Sequence, residues 1–281
     1  MVTESLLASG ATIDEISAVR KHCSALKGGR LAAAAAPATG CGLVFSDVVG
    51  NRLDVIANGP TAPDESTFAD ARAVLNRYGI QTPDAISAHL ARGADGDYPE
   101  TPGPDGPLFE SVTNHALADS HTALGATADE AREAGFAPLV LSSCVRGEAR
   151  EVAKTLTGIA EESADTGRSV EPPAVLLSGG ETTVTLAGDG GPDQEFTLSA
   201  ALELAGPDVA VAAVNTDGID GNADAAGAVA SQLTGEAVET GQTALADNDT
   251  PDFFERHGGA IVTGPTGINV NDLRAFFVPN R

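Results

Sequence analysis

Apolar positions along the 281-residue chain recur in two rhythms. In the first, Ile16, Val19, Cys23 and Leu26 follow at helical intervals behind Thr12 and Glu15, which have capping-box spacing, so a helix is expected that ends near Gly28 and Gly29. The same rules predict a helix over 66–78 stopped by Gly79, and another starting at Thr82 before Pro83. Further helices are predicted at 114–134, 147–166, 194–204 and 223–233. The second rhythm is a set of apolar runs too short for buried helices, at 42–49, 53–57, 138–142, 174–177, 182–186, 209–214 and 260–262, which read as strands. Their alternation with helices predicts an α/β fold with a largely parallel sheet. The length suits two α/β domains, with 167–173 as linker and the Gly, Pro and Asp-rich stretch 95–106 as a surface loop.

Most of these strands run into a polar, Gly-bearing loop: Ser46-Asp47, Asn58-Gly59-Pro60-Thr61, Ser178-Gly179-Gly180-Glu181, Thr216-Asp217-Gly218 and Thr263-Gly264-Pro265-Thr266. Ligands of open α/β sheets sit outside the carboxyl ends of strands, so these loops are expected to share a cleft. In Gly179-Gly180-Glu181 the glycines would let backbone amides approach an anion and Glu181 orient a metal or hydroxyl. The alternative is a tight hairpin into 182–186. Asp217, Asp220 and Asp224 place three carboxylates in a turn suited to Mg²⁺ and lacking EF-hand spacing, or else a turn in which Asn222 or Asp224 caps the next helix. The loop holding Gly264, Thr266 and Asn269 repeats the Gly-Pro-Thr of 59–61 and offers hydroxyls and amides to phosphate, although no Gly-Lys-Ser/Thr of a Walker A occurs. Arg146, beside the helix start Gly147-Glu148-Ala149-Arg150, could clamp a carboxylate or phosphate, or salt-bridge on a helix face.

Composition narrows the field. Forty acidic against sixteen basic residues give a net charge of −24, spread along the chain, while Lys21, Lys27 and Lys154 are the only lysines. Such a surface suits a salt-filled cytoplasm, and it disfavours nucleic acid, which needs clustered cations. The 4% aromatic content with no Trp implies a core of small side chains. Cys23, Cys41 and Cys144 are widely spaced and read as free thiols of a reducing compartment. The five histidines share no metal spacing and no Gly-x-Ser-x-Gly elbow is present. No apolar run reaches the roughly 20 residues of a membrane span, and no signal pattern opens the chain, so no membrane association and a cytoplasmic location are expected.

Taken in order, Leu6-Leu7-Ala8-Ser9-Gly10-Ala11, Val19-Arg20-Lys21-His22-Cys23-Ser24 with Lys27-Gly28-Gly29, Ser46-Asp47-Val48-Val49-Gly50, Gly59-Pro60-Thr61, Gly147-Glu148-Ala149-Arg150, Gly179-Gly180-Glu181-Thr182-Thr183-Val184, Asp217-Gly218-Ile219-Asp220-Gly221 and Thr263-Gly264-Pro265-Thr266 cover nearly the whole chain. The set resembles the glycerate 2-kinase family with a MOFRL domain, whose members are often labelled hydroxypyruvate reductase. The resemblance implies transfer of the ATP γ-phosphoryl group to the 2-hydroxyl of D-glycerate with Mg²⁺, in a cleft between two α/β domains, here 1–168 and 172–281. On that view Asp217 and Asp220 hold metal or polarise the acceptor. Arg20, Lys21 and Lys27, with Ser46, Asp47, Gly59 and Thr61, serve the substrate, and Gly179, Gly180, Glu181, Gly264, Thr266 and Asn269 the nucleotide or its phosphates. Measured against the family, the first domain is truncated: an upstream segment with a cleft lysine and a Ser-Gly-Gly-Gly-Ser type loop is absent, so a separately encoded N-terminal segment is an expected partner, alongside self-association. Where the family usually reads Gly-Gly-Arg-Asn-Gln-Glu, this chain has Gly190-Gly191-Pro192-Asp193-Gln194-Glu195, and Ile268 replaces a usual Thr. The competing readings are a non-catalytic ligand-binding remnant and an NAD-dependent hydroxypyruvate reductase; the reductase lacks support from any Gly-x-Gly-x-x-Gly motif.

Overall fold

The computed structural model of the chain describes residues 2–185, 188–206 and 209–280. They fall into two compact units, one running to Val44 and resuming over Asn51–Leu117, the other taking Phe45–Gly50 and everything from Ala118 on.

The first unit contains helices α1 (Val2–Ala8), α2 (Ile13–His22), α3 (Arg30–Ala35), α4 (Phe68–Arg77) and α5 (Asp84–Ala94), and all but the last residue of strands β1 (Gly40–Phe45) and β2 (Val112–Ala118), which form a two-stranded ribbon. Thr12 caps α2 as its spacing predicts: Thr12 Oγ1 accepts the Glu15 amide while Glu15 accepts that of Thr12. Helix α2 stops at His22, earlier than the glycines suggest, and left-handed Gly29 instead opens α3. Leu6, Ile16, Val19, Phe68, Val74 and Leu90 close the core of this unit. The predicted strand at 53–57 is a turn ending in the 3₁₀ segment Ile56–Asn58, where Ala57, Asn58 and Gly59 are all left-handed.

The second unit is a six-stranded sheet in the order β3-β4-β8-β5-β6-β7, built from β3 (Ala137–Glu148), β4 (Ala174–Thr183), β5 (Ala210–Asn215), β6 (Gly227–Ser231), β7 (Ala260–Ile261) and β8 (Asp272–Val278). The α/β class holds, but the sheet is not largely parallel: β3 and β4 run parallel, and every other neighbouring pair is antiparallel. The cause is β8, which enters between β4 and β5 against both. Helices α7 (Ala149–Thr166) and α8 (Pro192–Glu203) cover one face through Ala153, Leu156, Phe196 and Ala200 on Leu176, Val211 and Phe276. Helix α6 (Ser120–Glu133) covers the other through Leu124 and Ala128 on Val175, Leu177 and Ala275. Burial on both faces explains why β4 begins as an unbroken apolar run. Helices α9 (Glu236–Asp247) and α10 (Thr250–His257) complete the unit, with Phe253 and Phe254 against Leu198.

Four further expectations give way. The predicted helix at 114–134 is β2 followed by α6, which Asp119 caps by accepting the Thr122 amide. The predicted helix at 223–233 is largely strand: Ala-rich β6 lies so close to β5 that a Cβ on Gly227 would fall 2.0 Å from the Ala213 carbonyl oxygen. The runs 174–177 and 182–186 are not two strands around a loop, because β4 continues through Ser178-Gly179-Gly180-Glu181; Leu186 lies outside the described residues. The linker expected at 167–173 joins α7 to β4 inside the second unit, so residues 118–168 pack with 172–280 rather than with the segment before them. No helix among the described residues is long and apolar enough to cross a membrane.

Candidate functional site

Because β8 is antiparallel to both neighbours, its first residue lies beside the last residues of theirs: Asp272 pairs with Gly180 of β4 and with Asn215 of β5. The carboxyl ends of β4 and β5, the start of β8, the loops 216–226 and 262–271, and the segment 46–48 therefore gather at one edge of the sheet.

The two long loops are tied together. Thr216 Oγ1 donates to the Asn271 carbonyl at 2.8 Å and accepts the Val270 amide at 2.8 Å. Thr266 donates its hydroxyl to the Thr216 carbonyl at 2.6 Å, and its amide bonds the Asp217 carbonyl at 2.9 Å. Gly218 meets Gly264 so closely that a Cβ would sit 2.1 Å from the Gly264 carbonyl oxygen. Asp217, half-buried, accepts the Ile219 amide on Oδ1 at 2.9 Å and faces Asn269 Nδ2 through Oδ2 at 3.5 Å. Asn271 Nδ2 donates to the Asp47 carbonyl at 2.7 Å and approaches Glu181 Oε2 at 3.4 Å. Partial burial, with the charges of Asp272 and Asp47, raises the Glu181 carboxyl above its ordinary range. Ser46, Asp47, Glu181, Asp217 and Asn269 thus share this edge, while the Thr266 hydroxyl is committed to holding the loops.

Asp220, expected to work beside Asp217, points the other way. Its buried carboxylate accepts the amides of Asp193 at 3.0 Å and Gln194 at 2.7 Å, and so caps the N-terminus of α8 from 27 residues away. Burial raises its pKa to about 7 against those two hydrogen bonds, with Asp272 adding to the rise. The expected Asp217–Asp220 metal pair is therefore split, and among the described residues no three His, Cys, Asp or Glu side chains converge as metal ligands.

Beneath the edge lies an ionic core. Arg274, wholly buried on β8, bonds the Thr182 hydroxyl at 2.7 Å and the Asp272 carboxylate, lies 3.6 Å from Asp193, and faces the Phe196 ring. Asp272 also accepts the Thr182 amide at 3.1 Å. Burial, then the neighbouring charge of Asp272, pushes Asp193 well above the carboxylate range, and its oxygens receive no hydrogen bond from any donor. A neutral Asp193 donating its proton to the Asp272 carboxylate satisfies both facts. Nearby, Arg150 grips buried Glu195 with two bonds of 2.8 and 2.9 Å, which is the salt-bridging fate allowed for that charge cluster.

Gly179 and Gly180 are interior strand residues, required by packing: added Cβ atoms would fall 2.2 Å from Ser120 Oγ and 2.2 Å from the Val145 carbonyl oxygen. They are not an amide cradle on a loop. In the first unit, Lys21 is buried in an ion pair with Asp64 at 3.0 Å, near Asp54 at 3.7 Å, and is spent on structure. Thr61 donates to Asn114 Oδ1 at 2.6 Å. Lys27 rests on the Ala57 carbonyl at 2.6 Å, beside Gly59 in the left-handed run, and its ammonium pKa is lowered by burial and by the charge of Arg20. Sequence reasoning missed Asn271, Asp272 and Arg274. The Gly-Pro-Thr motif ends just before them, and a buried arginine between acidic and apolar residues does not resemble a strand.

A mixed α/β sheet with its polar loops gathered at one edge places the chain in a family that comparison with other proteins identifies. The MOFRL family matches residues 174–272, and a domain of unknown function, DUF4147, matches residues 1–91. The glycerate 2-kinase of Pyrococcus horikoshii is 40% identical over 97% of this chain, which spans 63% of that protein. The glycerate kinase of Macaca fascicularis is 35% identical, with all of this chain matched and 82% of the relative covered. A crystal structure of glycerate kinase from Thermotoga maritima superposes with a TM-score of 0.85 at 37% identity, over 98% of this chain and 66% of that one. The chain belongs to the glycerate kinase family.

Proposed function

We propose that the chain carries the phosphoryl-transfer site of a glycerate 2-kinase, moving the ATP γ-phosphoryl group to the 2-hydroxyl of D-glycerate. The observation that carries this reading is the agreement in sequence and fold with glycerate kinases along nearly the whole chain. The edge geometry supports it. Asp217, Glu181 and Asp47 bring negative charge to a half-open rim, and Glu181 is held above its ordinary range by partial burial and then by the charges of Asp272 and Asp47. Such an oxygen-rich, under-compensated rim fits Mg²⁺ delivered with a nucleotide, which takes one or two carboxylates and keeps the phosphates as its other ligands. Bound there by Asp217 and Glu181, the ion would neutralise phosphate charge. Asn269 orients Asp217, and the Thr216–Thr266 knot fixes the height of both.

In the first unit, Arg20 and Lys27 are adjacent cations in a chain of net charge −24, and Lys27 is anchored on a carbonyl rather than a carboxylate. That pair suits the carboxylate of the substrate. Lys21, buried against Asp64, is set aside.

The test is a coupled assay for ADP and 2-phosphoglycerate with ATP, D-glycerate and Mg²⁺, run beside NADH or NADPH oxidation with hydroxypyruvate. Phosphoryl transfer without reduction is the expected result. Nicotinamide oxidation without phosphoryl transfer overturns the reading in favour of a reductase.

A further inference from the structure

A nucleotide triphosphate carries more negative charge than one divalent ion offsets, so a rim that receives it needs a cation of its own. The loops at the edge of the second unit supply none: 46–50, 178–195, 216–226 and 262–271 contain no lysine or arginine. Elsewhere in this unit the cations are spent. Arg150 is tied to Glu195 and Arg274 to Asp272, while Arg132, Lys154, Arg168 and Arg256 each hold a nearby carboxylate. Among the described residues of the unit, Arg146 is the one lysine or arginine in no ion pair, in a chain with forty acidic residues to choose from.

The strand that carries Arg146 is shaped to present it. β3 lies at the end of the six-stranded sheet, parallel to β4. Five steps along β3, from Val140 to Val145, match three along β4, from Leu177 to Gly180, and regular pairing then resumes with Arg146 opposite Glu181. Extra residues bend a strand and re-aim the side chains that follow. Gly180 accommodates the bend, since a Cβ there would sit 2.2 Å from the Val145 carbonyl oxygen. Neighbours in register on parallel strands project from the same face. Arg146 therefore stands beside Glu181, and both are exposed. The charges that act on the Glu181 carboxyl are nonetheless those of Asp272 and Asp47, so the guanidinium is not taken up by it.

We propose, resting on the phosphoryl-transfer reading above, that Arg146 binds the terminal phosphates of the magnesium nucleotide. Adjacent strands lie about 4.8 Å apart, so a guanidinium on β3 reaches oxygens of a phosphate whose ion sits on Glu181. Its planar fork takes two such oxygens at once, which a lysine ammonium cannot do.

Binding and turnover are measured separately, at constant ionic strength. Calorimetric titration of MgATP into the chain without glycerate reads the nucleotide alone, and steady-state assays vary MgATP and D-glycerate in turn. Arg146→Ala should weaken MgATP binding and raise its KM at least about tenfold, with the KM for D-glycerate unchanged. Arg146→Lys should recover part of the loss. Arg168→Ala, which removes the same charge at the opposite end of α7, should behave as wild type. Since Arg146 is exposed, all variants should share one denaturation midpoint. If the wild-type chain neither binds MgATP nor phosphorylates D-glycerate, the kinase reading fails and the role of Arg146 with it. If the wild type does either and Arg146→Ala matches Arg168→Ala, or shifts the KM for D-glycerate instead, the kinase reading stands and the role of Arg146 is overturned.

Discussion

Asp217 and Asp220 stand three residues apart in one turn, yet one belongs to the open edge of the sheet and the other to the ionic core beneath it. At the edge, Asp217 is half-buried and held by a single amide and an asparagine. In the core, Asp220 is fully buried and gives both oxygens to the start of α8. Residue type and spacing are the same for chemistry and for architecture; what separates them is which neighbouring element supplies unpaired donors. A helix N-terminus with free amides claims a carboxylate as firmly as a metal would.

Arg274→Met probes the core where its loss is greatest. The guanidinium is the cation facing Asp272 and Asp193 in a wholly buried place. Its removal strands charge without a partner, which costs about 3–5 kcal/mol of stability. Urea denaturation at pH 8 should show that loss, and at pH 5 a smaller one, since the carboxyls can then be neutral. A loss independent of pH would mean that Arg274 contributes mainly by packing.

The edge is expected to be dispensable for folding. Asp217→Asn, in an active preparation, should lower kcat roughly 100-fold, about 2.7 kcal/mol of transition-state stabilisation, while the denaturation midpoint stays at the wild-type value. Asn keeps the hydrogen bond to the Ile219 amide and loses only the charge. Near-normal turnover would move the turn wholly to the architectural side and erase the contrast with Asp220.

The core should also be visible in the pH dependence of stability. Asp220, ordinarily near 3.8, is raised to about 7 by burial, and Asp193 and Asp272 are raised as well. Through this window the folded state holds protons that the unfolded chain releases, so this contribution to stability is full below pH 3.8 and is lost as pH rises to about 7. Asp220→Asn removes one titrating group. Its stability relative to wild type should therefore improve from pH 4 to pH 7 by on the order of 2 kcal/mol. A constant difference between the two proteins would show that Asp220 keeps its charge throughout.

How much of this was legible beforehand depends on how far apart the partners lie. Thr12 and Glu15 cap a helix they themselves begin, so the capping box is written in adjacent residues and α2 is found. Asp220 caps a helix that starts 28 residues earlier, at Pro192, and nothing local separates that role from metal binding. The gathering of the 46–48, 216–226 and 262–271 segments at one edge follows from the rule that loops after strands bind ligands, and it was anticipated. The strand direction was not: β8 holds Asp272 and Arg274 among its inward residues, which breaks the apolar run that would announce a central strand, and with β8 missed the sheet looked parallel. Alanine in β6 misled in the opposite sense, since a small side chain suits both a helix and a strand pressed close to its neighbour.

Asp193 offers the finest cut between edge and core. The family motif usually carries Asn here, and this chain has the isosteric acid, buried beside Asp272, Asp220 and Arg274. A neutral Asp193 can donate one proton to Asp272, as an Asn amide would, so the two residues should be nearly equivalent while the acid is protonated. At higher pH the acid resists ionisation only because its surroundings are apolar and already negative, and the unfolded chain, free to ionise, gains what the folded state cannot. Asn has no such liability. Asp193→Asn should gain stability relative to wild type between pH 5 and pH 8.5, read as a rising difference in denaturation midpoint at constant slope. If Asp193 instead ionises and draws on Arg274 at 3.6 Å, the substitution removes a buried ion pair and destabilises at both pH values. That outcome would make Arg274 a bridge between two carboxylates and recast the core as a charged triad.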